Sequence, residues 1–267
     1  MAAVRVVGKN ARMYVNDVAL YLRMFEMENN MELNTKDGTA YGVDWREFTF
    51  IDGSVTMGVN AFMDETRPVT DANDLVTDAA YVNTFQADGG SVFKADPEVP
   101  IIFVPGNSAA AGEKAFFMNS ILGSVALSAP RNDIQTLRGR FQGADGLRAG
   151  FIIAQIEQSF PTGDTFLPAP TGDIDVGAPV AAVTGVVAAY CVYKKTAGSV
   201  FTIEVQDTAT SGSAWAAAIA FPTFTAISAA YKEDITDAGK RYHRIRVNNA
   251  GGAETLGLIV VSANLIR

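Results

Sequence analysis

Trp45-Arg46-Glu47-Phe48-Thr49-Phe50-Ile51-Asp52-Gly53-Ser54-Val55-Thr56-Met57-Gly58-Val59-Asn60-Ala61-Phe62-Met63 carries two strand signals around a turn signal. Residues 45–51 are aromatic-rich with partial alternation. Residues 54–63 put Val55, Met57, Val59, Ala61 and Met63 on every second position, the period of a half-buried strand. Asp52-Gly53 has turn chemistry, so the stretch predicts strand, turn, strand.

The same pattern extends to both sides. Residues 4–7 and 11–15 are apolar or β-branched, with Asn16-Asp17 as a turn before Val18. Downstream, 99–104 is a short apolar run that tolerates Pro100 only at its start. Residues 114–127 predict a long strand kinked at Gly123, and 134–141 alternate again. A single helix is predicted over 71–86, with Thr70 or Asp71 as cap, acidic residues in its first turns and Gly89-Gly90 at its end. Residues 26–44 interrupt the pattern. Glu26, Glu28, Glu32, Asp37 and Asp44 face only Lys36, and Asn and Gly residues add turn chemistry. This reads as a long polar insertion, either a functional loop or a solvated hairpin extension.

Residues 160–180 hold four prolines and three glycines and read as a linker. Beyond it, strands are predicted at 183–193, 199–206, 214–221, 241–247 and 256–263, with turns at Ser211-Gly212 and Ala250-Gly251-Gly252. Ile203, Val205, Ile245 and Val247 alternate and are assigned to the core. The expected architecture is mainly β. A β-barrel or sandwich domain with one helix spans 1–160, a Pro/Gly-rich linker spans 161–180, and a small antiparallel β-sandwich, Ig-like or jelly-roll-like, spans 181–267.

Composition narrows the function. The 267 residues are 48% hydrophobic and 19% charged, enough apolar residue to bury a core. One cysteine, Cys191, and one histidine, His243, exclude a disulfide framework within the chain and any multi-histidine or cysteine-rich metal site. No apolar run approaches the ~20 residues of a membrane span. The opening residues lack a basic n-region and long apolar h-region, so folding in a cytosol is expected. Residues 1–175 hold 23 acidic and 13 basic side chains, net −10, whereas 176–267 hold 6 and 8, net +2. An acidic first part argues against ordinary nucleic-acid binding, which needs cations to replace phosphate counterions.

Candidate chemistry is sparse. Gly106 through Lys114 has a superficial phosphate-loop look, but the glycine spacing is one residue too long. Glu113 also precedes the lysine, and Ala115 stands where a hydroxyl would hold Mg²⁺. His243 falls on the apolar side of its strand without a Ser or Cys partner motif. Asp164, Asp173 and Asp175 lack calcium-loop spacing. Trp215, Tyr242 and Arg244 could contact a sugar by stacking and hydrogen bonds, against the plainer reading of Trp215 as a core anchor. No enzyme, cofactor or metal is expected.

A family resemblance rests on residues in order along the chain. Val7-Gly8-Lys9-Asn10-Ala11-Arg12-Met13-Tyr14-Val15-Asn16-Asp17-Val18, then Phe50 through Asp64, then Ala129-Pro130-Arg131-Asn132-Asp133-Ile134 and Gly139-Arg140-Phe141-Gln142-Gly143 resemble the tail tube (major tail) proteins of tailed bacteriophages. The second part, through Val205-Gln206-Asp207, Ser211 to Trp215 and Arg241 to Arg244, is similar to an extension carried by some of them. The resemblance implies a virion tail protein, assembled in the host cytoplasm. Its rings, of six subunits, stack into a tube through which DNA passes without specific binding. It also implies tape-measure and tail-terminator partners, an inter-ring role for Glu26, Glu28, Glu32, Lys36, Asp37 and Asp44, and no membrane contact by this chain. The second domain is expected on the tube exterior and the lumen is expected to be acidic. Two other classes fit the composition: a capsid-decorating or head-tail joining protein, and a carbohydrate-binding β-sandwich protein.

Overall fold

The computed structural model describes residues 12–15, 18–19, 24–37, 48–62, 98–105, 110–128, 136–143, 146–168, 172–177, 183–236 and 238–266. They form sixteen strands and, among the described residues, no helix. In chain order these are β1 (Arg12–Val15), β2 (Val18–Ala19), β3 (Met24–Asp37), β4 (Phe48–Phe62), β5 (Val99–Val104), β6 (Lys114–Ser128), β7 (Thr136–Gly143) and β8 (Arg148–Phe160). Then follow β9 (Gly163–Leu167), β10 (Ile174–Asp175), β11 (Val183–Lys195), β12 (Phe201–Thr208), β13 (Ala216–Ala220), β14 (Ser228–Asp234), β15 (Tyr242–Asn249) and β16 (Glu254–Ile266). The fold is mainly β, as the alternating runs predict. The helix expected over 71–86 lies outside the described residues.

Eleven strands join in one antiparallel sheet. Its path runs β14-β11-β16-β8-β6-β5-β1-β2, and β7, β4 and β3 branch from β6. Five strands form a second sheet, with β15 and β12 at its centre, β13 on one side, and β9 and β10 sharing the other. The kink expected at Gly123 is present as a register shift between Leu122 and Ser124.

The strands β11 and β16 explain the architecture. Val-Val-Ala-Ala-Tyr-Cys-Val-Tyr over 186–193 is apolar without alternation, and every one of these residues is buried. A strand with that reading must be covered on both faces. Val186, Ala188, Tyr190 and Val192 join Leu256, Leu258 and Val260 in a core against Ile203, Val205, Ile245 and Val247 of the second sheet. The intervening residues Val187, Ala189, Cys191 and Tyr193 join Ile259 and Val261 in another core, against Tyr14, Ile102, Val104 and Phe117. The large sheet therefore curls back so that β1 and β5 cover the face of β11 that the second sheet does not. Tyr14 closes this contact. Its ring lies 5.6 Å from that of Tyr193, and its hydroxyl accepts from Gln155 at 2.9 Å.

One expectation is corrected by these pairings. Asp52-Gly53 is not a hairpin turn, because β4 runs through it as one strand. Both flanks pair with β3 rather than with each other, and the local strain is taken up as a bulge at the Asn34/Thr35 step. Of the two readings of 26–44, the hairpin extension is the one that fits its described part, since Met24–Asp37 is strand paired antiparallel with β4, and residues 38–44 lie outside the described residues. The sheets run across the positions 160 and 180. β8 pairs with β16 from Phe160↔Glu254 to Phe151↔Ser262, and the expected linker contributes β9 and β10, both paired with β15. Pro161 and Pro168 flank β9 where no ladder N–H is required. At Gly150 the sheet is so tight that an added Cβ would lie 2.4 Å from the Ser262 carbonyl oxygen.

Buried polar groups tie β11 to β16 within the large sheet and β15 to β16 between the sheets. Lys195 and Glu254 form an inaccessible ion pair at 2.7 Å, and Glu254 also accepts from the Ala197 and Ser199 N–H groups. Burial alone would raise the Glu254 pKa, but these donors hold it below the usual carboxylate range. His243, fully buried on β15, accepts from the Ser262 hydroxyl of β16 at Nδ1 (2.8 Å) and donates from Nε2 to the Lys240 carbonyl (3.1 Å). Because a carbonyl only accepts, the Nε2–H neutral tautomer is fixed. Burial lowers the His243 pKa from 6.5 to about 4, opposed by Asp207. Between those values the unfolded chain binds a proton that the folded chain does not. Stability is therefore expected to fall by about 3 kcal/mol as pH drops from 6.5 to 4. Urea titrations at pH 7, 6, 5 and 4.5 will show this slope, and His243→Gln will flatten it.

Candidate functional site

The described surface offers two features that the core does not explain: a protruding pair of strands and a polar face on the smaller sheet. The first comes from unequal pairing along β4. Residues Thr56–Ala61 pair with β7 on one side and β3 on the other, whereas the β4 residues from Phe48 to Val55 pair, among the described residues, with β3 alone. The opposite half, Met31–Asp37, likewise pairs only with β4 among the described residues. About seven residue pairs thus extend past β7 as a two-stranded ribbon, roughly 20–25 Å at ~3.3 Å per residue. Among the described residues, no strand pairs with either outer edge of this ribbon. An isolated two-stranded ribbon is at best marginally stable in water, and a long open edge is a template for another strand.

Glu26, Glu28, Glu32, Lys36 and Asp37 all lie on β3, while Asp44 falls outside the described residues. Glu26 and Glu28 sit beside the part of β4 that β7 also pairs, and Glu32, Lys36 and Asp37 lie on the protruding half.

The second feature is the outer face of the five-stranded sheet. Arg244 of β15 lies between two aromatic rings, its guanidinium carbon 4.2 Å from the centre of Trp215 and 4.4 Å from that of Phe166. Its Nε donates to Gln206 Oε1 at 2.8 Å, and Gln206 donates onward to Glu204 at 2.6 Å. Burial lowers the Arg244 pKa, against the fields of Asp173 and Glu204. Tyr242 stands apart from this stack, under the Arg241 guanidinium at 5.2 Å. Two of the three residues singled out from sequence are thus in contact through Arg244, and Tyr242 is not in the stack. Phe166, Gln206 and Glu204 were missed. Phe166 sits in the segment read as linker. Gln206 and Glu204 share a face with Arg244 only through the Gln206↔Arg244 register, which the sequence does not reveal.

The acidic residues weighed for calcium have other partners. Asp164 pairs with Arg246 at 3.0 Å, Asp175 with Arg241 at 2.6 Å, and Asp173 accepts from the Gly212 N–H at 3.0 Å. The Arg241 hydrogen bonds hold the Asp175 carboxyl below its ordinary pKa. Among the described residues, no cluster of His, Cys, Asp or Glu could hold a metal ion. No described helix is long and apolar enough to cross a membrane.

No protein-family model matches the sequence, and no curated protein does. Among solved structures, the chain is similar over part of its length to a subunit in the tail of an empty gene transfer agent particle with C6 symmetry. There the identity is 14%, the TM-score is 0.34, and 47% of this chain and 81% of that one are covered. A subunit of the native gene transfer agent virion gives 15% identity and a TM-score of 0.36, over 54% of this chain and 97% of that one. Likenesses this distant carry no conclusion about function.

Proposed function

We propose that this chain is a structural subunit of a phage-like virion tail, polymerising as stacked rings into the tube that conducts DNA. The observation that supports the reading best is the β3–β4 ribbon. Two strands whose outer edges have no partner among the described residues offer a template for a further strand, and addition of a strand from an adjacent copy would use it. The ordered sequence resemblance supplies the class of assembly, and a closed ring turns every such edge into a contact.

In this reading the acidic first part lines the passage. A duplex carries one charge per ~1.7 Å of axis, so a basic wall would hold it at many points. Carboxylates repel it over about one Debye length, ~8–10 Å, leaving it free to slide. The five-stranded sheet, with its near-neutral ion-paired face, is assigned to the exterior. Electron microscopy of concentrated purified protein is the test. Rings or hollow tubes with a net-negative inner wall are expected, and protein that stays monomeric at high concentration would overturn the proposal.

A further inference from the structure

The outer face of the five-stranded sheet holds one cation that is built into place and left without an anion. Arg246 is neutralised by Asp164, and Arg241 by Asp175. Arg244 makes no ion pair among the described residues. Its Nε is held by Gln206, its plane is gripped between Trp215 and Phe166, and its two Nη groups have no acceptor among the described residues. An arginine fixed by stacking has lost its rotamer freedom before any ligand arrives. The free end of its fork matches the two oxygens of a planar carboxylate.

The surroundings specify what bears that carboxylate. Phe166 remains 39% exposed beside the guanidinium, an apolar surface suited to the C–H face of a pyranose ring. Two residues further along the strands, Thr202, Glu204, Arg246 and Asn248 line a shallow groove. Two strand residues span ~6.6 Å, close to the length of one sugar unit, so hydroxyls of the next ring fall over these donors and acceptors. Asp173 and Glu204, whose charges act on Arg244, weaken its hold on a bare anion, so the sugar face must contribute to binding beside the carboxylate.

From this geometry we infer that the face binds a uronate-containing polysaccharide, with Arg244 taking the carboxylate and Phe166 and Trp215 flanking it. The site does not depend on the assembly proposed above, since every residue in it comes from one copy. The test is calorimetric titration of the full chain with oligogalacturonate and, separately, with galactose oligomers of the same length. Oligogalacturonate is expected to bind at least about tenfold more tightly, the scale of one bidentate charge-assisted contact. Arg244→Gln is expected to remove that difference. Arg244→Lys is expected to remove most of it, because an ammonium neither stacks nor forks. Circular dichroism and melting of both variants check that the sheet is intact. If either variant does not fold, Gln206→Leu and Phe166→Ala replace it, with the same expected loss. Equal affinity for the neutral oligomer, unchanged uronate binding in the variants, or no uronate binding would each overturn the inference.

Discussion

A chain ending at Thr162 will give no cooperatively folded protein. The truncation removes β16, the partner of β8 along nine residue pairs, and removes β11, against which β1 and β5 pack. Ile102, Val104, Phe117, Ile152, Ile153 and Phe160, all buried in the whole chain, then lose the surfaces that cover them. At roughly 1.5–3 kcal/mol for each large apolar side chain returned to water, the loss is on the order of 10 kcal/mol. That is comparable with the whole stability of an ordinary domain. The expected result is aggregated protein, or a soluble product with no thermal transition by circular dichroism. A sharp, reversible transition in the truncated protein would show that the proline-rich segment does separate two folding units, and that the shared sheet is dispensable.

Removing the protruding ribbon should have the opposite profile, with little effect on folding and a complete effect on assembly. Asn30 and Thr56 are partners in the β3–β4 register, so residues 31–55 can be replaced by a two-residue Asn-Gly turn that closes the shortened hairpin. The remaining β4 residues still pair with β7, and the melting transition should shift by no more than about 1 kcal/mol, the scale of a changed loop closure. Under conditions where the full chain forms tubes, electron microscopy should then show only single subunits. Tubes of normal length from the shortened protein would remove the ribbon from the interface and weaken the functional proposal with it.

Much of the strand content was legible because alternation is a local signal. The expectations for 99–104, 114–127 and 256–263 each fall on a strand, and the kink at Gly123 marks a true register shift. Sheet membership was not legible, because pairing is a long-range choice. The run Val186–Tyr193 contained the decisive clue. Its lack of alternation implies cover on both faces, which a free-standing two-sheet sandwich does not provide for a strand. β3 did carry a local signal, since Phe25, Met27, Met31 and Leu33 fall on alternate positions between Glu26, Glu28, Glu32 and Asn34, but its carboxylates and asparagines were read as loop chemistry. At the polar face, Trp215 and Arg244 were found by residue type. Gln206 and Phe166 became visible only once β12 and β9 were set beside β15.

The β8–β16 pairing also sets a clock. Roughly 95 residues of chain separate the end of β8 from the start of β16. At a synthesis rate of ~5–20 residues per second, β8 therefore waits about 5–20 s after emerging from the ribosome before its partner exists. Through that interval the nascent chain has no completed core and no stable platform for the ribbon. The face of the sheet that β16 completes therefore stays open until the late strands arrive, so the earliest strands of the chain are the last to be covered.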